Sequence, residues 1–188
     1  MNPRNSTNPI DDPVKGYATS RGFHKRTLDR WLALKEADAA ALLALVQELK
    51  VGENHLKDFL DWLEEIALRD GVSVAAILAR DEMSRVVSDP RLGRNDKLKR
   101  LKDELRRLRF PRLAKIEEEI QRRVRAMKLD PGLSVNVPAG LEGGAVILKI
   151  QATSYDEARR LTARLGDVME RAEMKEIFSL LHGDGTEW

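Results

Sequence analysis

The sequence predicts a mainly α protein with a small α+β unit: an N-terminal helical bundle, a central charged helix, and a C-terminal helix-strand-strand-helix. Three observations carry this. Apolar residues recur at spacings of three and four over much of the first 128 residues. Two short runs, Leu133–Val137 and Ala145–Ala152, alternate apolar and polar residues instead. Charged residues make up 34% of the chain and aromatics only 5%, a balance that suits exposed helices better than broad sheets.

Residues 1–20 hold three prolines among Asn, Ser, Thr and Asp without apolar periodicity, so a disordered arm is expected there. A helical bundle is expected over 21–90. Leu28, Trp31, Leu32 and Leu34 mark its first helix, and Leu42, Leu45, Val46 and Leu49 a second that Asp38 can cap. Leu56, Phe59, Leu60, Leu63 and Ile66 stripe a third, with Asn54 as a possible cap and Gly71 as its end. Ser73 opens a short apolar helix, and Met83, Val86 and Val87 give a last turn or two before Asp89-Pro90.

Basic helices linking the two halves are expected over 91–128. Asn95 can cap the first, whose Leu98, Leu101, Leu105 and Leu108 form a narrow stripe, and Pro111 starts a second with Leu113, Ile116, Ile120, Val124 and Met127 facing inward. The last segment, 129–188, reads as a ββα unit packed with helix 111–128. Ser154-Tyr155-Asp156-Glu157 matches a capping box ahead of Ala158, Leu161, Leu165 and Val168, and the stripe shifts near Arg171–Glu173, where a break is expected. Two strands are seldom stable alone, and Ile147 is apolar on an otherwise polar strand face, so sheet extension across a homodimer is expected. Its interface would hold Val135, Val137, Val146, Ile147, Leu148, Ile150, Leu161 and Leu165.

Zero cysteines exclude disulfides and thiol chemistry and fit a reducing, cytoplasmic setting. No window has the apolar length of a membrane helix, and the first twelve residues lack the apolar core of a secretory signal. His24, His55 and His182 lie far apart, so no helical zinc pair exists, and neither a metal nor any other cofactor is expected. Asp58, Asp61 and Glu65 share a helical face; a solvated surface explains them as well as a hard cation does. Gly140, Gly143 and Gly144 precede a strand rather than a helix, which suits a hairpin loop and not a phosphate cradle. No nucleophile sits beside a base, so no enzyme is expected.

Net charge is +2, but unevenly spread: −3 over residues 1–90, +9 over 91–128 and −4 over 129–188. Such a basic middle fits either a polyanion site or internal electrostatic docking. With Asp96 assigned to Arg100 and Asp103 to Arg107, Lys97, Lys99, Lys102, Arg106, Arg109, Arg112 and Lys115 have no acid four residues before them, which makes them the candidate contacts for DNA backbone. A solvated or intersubunit face is the competing reading. Leu63–Ile77 also resembles a bacterial helix-turn-helix through Ala67, Gly71, Ile66, Val72 and Ile77. Its second helix, however, offers Val74, Ala75, Ala76 and Ala79 to the bases, with Arg80 alone able to read one.

Residues 113–165 resemble the C-terminal dimerisation domain of ParB-type chromosome-partitioning proteins. The likeness is carried by Ile116-Glu117-Glu118-Glu119-Ile120, the Leu133–Val137 strand, the Gly143-Gly144 turn, the Val146–Ile150 strand and Ser154-Tyr155-Asp156-Glu157. It implies pairing by sheet and helix exchange and non-specific DNA contact, without the Arg-rich nucleotide box of that family. The expected protein is therefore a non-enzymatic, dimeric, DNA-associated one, with room for a protein partner on the N-terminal bundle. The alternative is an assembly adaptor that never meets nucleic acid.

Overall fold

A computed structural model describes residues 8–183. The chain divides into two compact units, Met1–Arg109 and Phe110–Trp188. Among the described residues the protein is mainly helical, with one small antiparallel sheet near its C-terminus, as the sequence predicts.

The first unit holds α1 (Asp11–Ser20), α2 (Lys25–Leu32), α3 (Glu36–Glu48), α4 (Glu53–Asp70), α5 (Val74–Leu78), α6 (Asp81–Ser88) and α7 (Arg94–Arg109). Its core gathers Trp31 of α2, Leu42 and Val46 of α3, the Leu56–Phe59–Leu63–Ile66 stripe of α4, Ile77, Met83, and Leu101 with Leu105 of α7. Burying each of these large side chains contributes about 1.5–3 kcal/mol, which outweighs modest local propensity.

Helix α1 corrects the expected disordered arm. Residues 1–7 lie outside the described residues, but 11–20 are helical and bury Val14 and Ala18, one turn apart. Pro13 is the third helical residue, where an N–H would have no intrahelical acceptor, so it breaks nothing. Two caps also differ from expectation. Helix α3 starts at Glu36, two residues before Asp38, and α4 starts at Glu53, one before Asn54; neither has a side-chain cap at its start. Asp38 is buried and caps another helix, its Oδ1 accepting the Ala75 N–H of α5 at 2.7 Å. Ser73 caps the same helix from its own end, accepting Ala76 N–H at 3.0 Å.

The basic stretch 91–128 is no single linker. Leu101 and Leu105 bind α7 into the first core, whereas α8 (Pro111–Ala126) buries Ile120 in the second. The break falls at Phe110, φ −121° and ψ 67°, because Pro111 has no N–H and its ring excludes a continuous helix.

In the second unit α8 is followed by β1 (Leu133–Asn136), a 3₁₀ segment over Ala139–Gly144, β2 (Ile147–Ile150), α9 (Tyr155–Met169) and α10 (Ala172–His182). The strands pair antiparallel, Leu133 with Ile150 and Val135 with Leu148. Val135 and Leu148 therefore share the face that meets Ile120, Met127, Val168, Met174 and Ile177. Ser154 Oγ accepts Glu157 N–H at 3.2 Å, while the Glu157 carboxylate reaches back to Thr153 N–H at 2.7 Å, so the capping box forms one residue wider than its usual pattern. That hydrogen bond from Thr153 holds Glu157 below the usual carboxylate range.

Candidate nucleic-acid interface

The seven basic residues expected to grip DNA do not form one free surface. Lys97 donates to the Val87 carbonyl and lies 3.8 Å from Glu48. Lys102 donates to Asp58 at 2.5 Å and sits over the Trp62 ring, 5.7 Å from its centroid. Arg109 Nε is 2.7 Å from Glu65, a charge contact without hydrogen-bond alignment, and Arg106 is engaged as well. Lys99 is exposed; Arg112 and Lys115 are also exposed but belong to the second unit. Helix α7 thus lies against α4 with its cations facing α4's acids. Counted over the two units, the +9 middle becomes +3 in residues 1–109 and −1 in 110–188.

The same contacts account for the carboxylates considered for a metal. Asp58 meets Lys102, Glu65 meets Arg109, and Asp61 accepts Arg30 Nη1 at 2.5 Å. Glu64 takes the Arg30 Nε and Nη2 donors at 3.2 and 2.7 Å, and this fork raises the Arg30 pKa still further. Among the described residues no group of three or more metal-binding side chains comes together.

A different part of the first unit brings two helices together across a short glycine turn. Helices α1 and α2 are joined by the four-residue turn Arg21–His24 and pack on one another. Gly22 sits at φ +67°; Phe23 N–H bonds the Ala18 carbonyl and Gly22 N–H the Thr19 carbonyl, which closes α1 with a left-handed cap. Ala18 is 1% exposed, and in a helix-turn-helix a small residue here lets the second helix approach closely. Tyr17 fixes the pair. Its ring meets Phe23 and Trp31 edge-on at 5.9 and 6.2 Å, and its hydroxyl reaches the carbonyls of Val46 and Val51 at 2.8 and 2.9 Å. Burial raises the Tyr17 pKa.

The start of α2 is tied to α4 by one carboxylate. Glu53 Oε1 accepts His24 N–H at 3.1 Å and the Thr27 hydroxyl at 2.5 Å, and the Thr27 bond keeps Glu53 below the usual carboxylate pKa. With Thr27 and Trp31 buried, α2 turns Lys25, Arg26 and Asp29 outward. A cleft of about 480 Å³ runs beside it, lined by His24, Arg26, Arg30, Lys57 and Asp61.

Sequence reasoning missed this unit. Its signal was present in Val14, Tyr17, Ala18, Gly22, Phe23, Leu28 and Trp31, the same small-residue and glycine spacing sought at 63–77. In that later segment α5 is five residues long, buries Val74 and Ile77, and is held by Asp38. Arg80, the one base reader it offered, lies 3.7 Å from Asp70.

The expected dimer residues separate into two groups. Val135 and Leu161 are buried within their own unit, and Val137, Val146, Leu148, Ile150 and Leu165 are half-buried. Ile147 is 52% exposed on the outer face of the sheet. Among the described residues each strand has one neighbour, leaving two open edges.

No helix among the described residues is long and apolar enough to cross a membrane. No protein-family model, curated protein or solved structure matches the chain.

Proposed function

We propose that this chain is a non-enzymatic, DNA-associated protein that places α2 in the major groove and dimerises through its C-terminal unit. The observation that carries the reading is the packed α1–turn–α2 pair, whose second helix presents Lys25 and Arg26 outward at its N-terminal end. Helix-turn-helix proteins contact base edges with the first residues of that helix. Lys99, exposed on α7 of the same unit, supplies a phosphate contact, while the paired cations Lys102 and Arg109 serve to hold α7 on α4. Two open strand edges, the exposed Ile147 and the ParB-like pattern of residues 113–165 support the dimer.

Fluorescence anisotropy with labelled duplex DNA across a salt series tests the reading. Changing Lys25 and Arg26 together to Ala should weaken binding and relax its base preference, since each lost base contact costs about 1–3 kcal/mol of discrimination. Unchanged affinity and preference would refute placement of α2 in the groove. One observation favours the adaptor reading: an apolar groove of about 370 Å³ between α3, α5 and α6, lined by Leu45, Ala75, Leu78, Met83 and Val87.

A further inference from the structure

We infer that Asp29 is the specificity-determining residue of α2 and selects cytosine at one position of the DNA site, with guanine read beside it by Lys25 or Arg26. The inference rests on the groove placement of α2 proposed above.

Helix α2 buries Thr27 and Trp31. At about 100° per residue, the direction opposite that pair falls on Asp29, with Lys25 and Arg26 roughly 40–60° to either side. The carboxylate therefore stands at the centre of the outward face. Asp29 is exposed and makes no ion pair among the described residues, unlike Asp61 and Glu64, which are both held by Arg30. Glu53, the other acid near the start of α2, is turned back onto Thr27 and His24.

An unneutralised carboxylate at that point repels the phosphate backbone, so it is tolerated in a groove only where it meets a hydrogen-bond donor. In the major groove the donors are the amino groups of cytosine N4 and adenine N6. A carboxylate has acceptors only, and adenine's adjacent N7 is itself an acceptor that would face the second oxygen; cytosine presents no such clash. Lys25 and Arg26 are donors only and match the O6 and N7 acceptors of guanine. They precede Asp29 by four and three residues, about 4.5–6 Å along the axis, one to two base-pair steps away. Flanking cations of this kind also offset the local repulsion.

The test is selection of binding sites from a random duplex library with the full chain, its Asp29→Asn variant and its Asp29→Ala variant. The parent should enrich a motif with cytosine at one position and guanine within two base pairs. Asp29→Asn should switch that cytosine to adenine, because an amide both accepts from N6 and donates to N7, and the rest of the motif should persist. With Asp29→Ala the position should become degenerate, discrimination there should fall roughly tenfold or more, and affinity for unrelated duplex should rise. The same motif and preference in all three proteins would overturn the role of Asp29 while leaving groove reading by α2 intact. A parent that enriches no motif would overturn both.

Discussion

Gly132 closes the open end of the C-terminal hairpin, and replacing it with Ala should be among the costliest single-methyl changes in the molecule. Its φ is +90°, a region that costs an L side chain about 1–2 kcal/mol. A Cβ built there would lie 2.5 Å from the Gln151 carbonyl oxygen and 3.0 Å from Leu161 Cδ1. Backbone cannot rotate aside as a flexible side chain does, so the strand ends must part. Parting them loosens the 2.7 Å bond from Gln151 N–H to the Gly132 carbonyl, worth about 1 kcal/mol, and disturbs the fully buried Leu161. With crowding of about 1–3 kcal/mol the total reaches roughly 3–6 kcal/mol. For a unit of this size that corresponds to a fall in Tm of more than about 10 °C. Gly22→Ala is the control: its φ is +67° with nothing within 4 Å of the added methyl, so it should cost only about 1–2 kcal/mol. Circular dichroism melts of the full chain, with urea titration, would compare each variant with the parent. Equal small shifts for both would refute the steric argument.

Two further outcomes are expected. Glu53 has a folded pKa below its ordinary value, so the stability it contributes is present above about pH 4.5 and is lost as pH falls through the lower folded value. Glu53→Gln keeps an acceptor for Thr27 and His24 and should flatten this acid dependence; an acid melt as steep as the parent's would assign it to other carboxylates. Ile147→Lys should leave the helical spectrum unchanged yet convert the proposed dimer to monomer in sedimentation equilibrium, because Ile147 lies on the exposed sheet face whereas Leu148 faces its own core. A parent chain that remains monomeric at high concentration would end the dimer proposal.

Patterns confined to one element were legible in the sequence: the α4 stripe, the stop at Gly71, the hairpin, the Ser154 box and the break before Ala172. Relations across distance were not. Bookkeeping at i,i+4 leaves Lys102 and Arg109 without acids, yet each finds one 44 residues upstream on α4. Asp38 has the chemistry of a cap, but the helix it caps begins 36 residues later. Prolines at positions 3, 9 and 13 lowered the apparent helicity of the first twenty residues, and that hid α1. Without α1, the Gly22 turn had no preceding helix to close, and α2 read as the first element of the bundle.

Asp38 also bears on the order in which the first unit assembles. A five-residue helix forms too few hydrogen bonds to offset its own nucleation, so α5 has little existence apart from its surroundings. Its first turn depends on a carboxylate carried by α3, which must already be helical and docked to hold that acceptor in place. The segment from Val72 to Ala79 therefore takes its helical form by docking on α3 and α4, burying Val74 and Ile77 there, and not ahead of them.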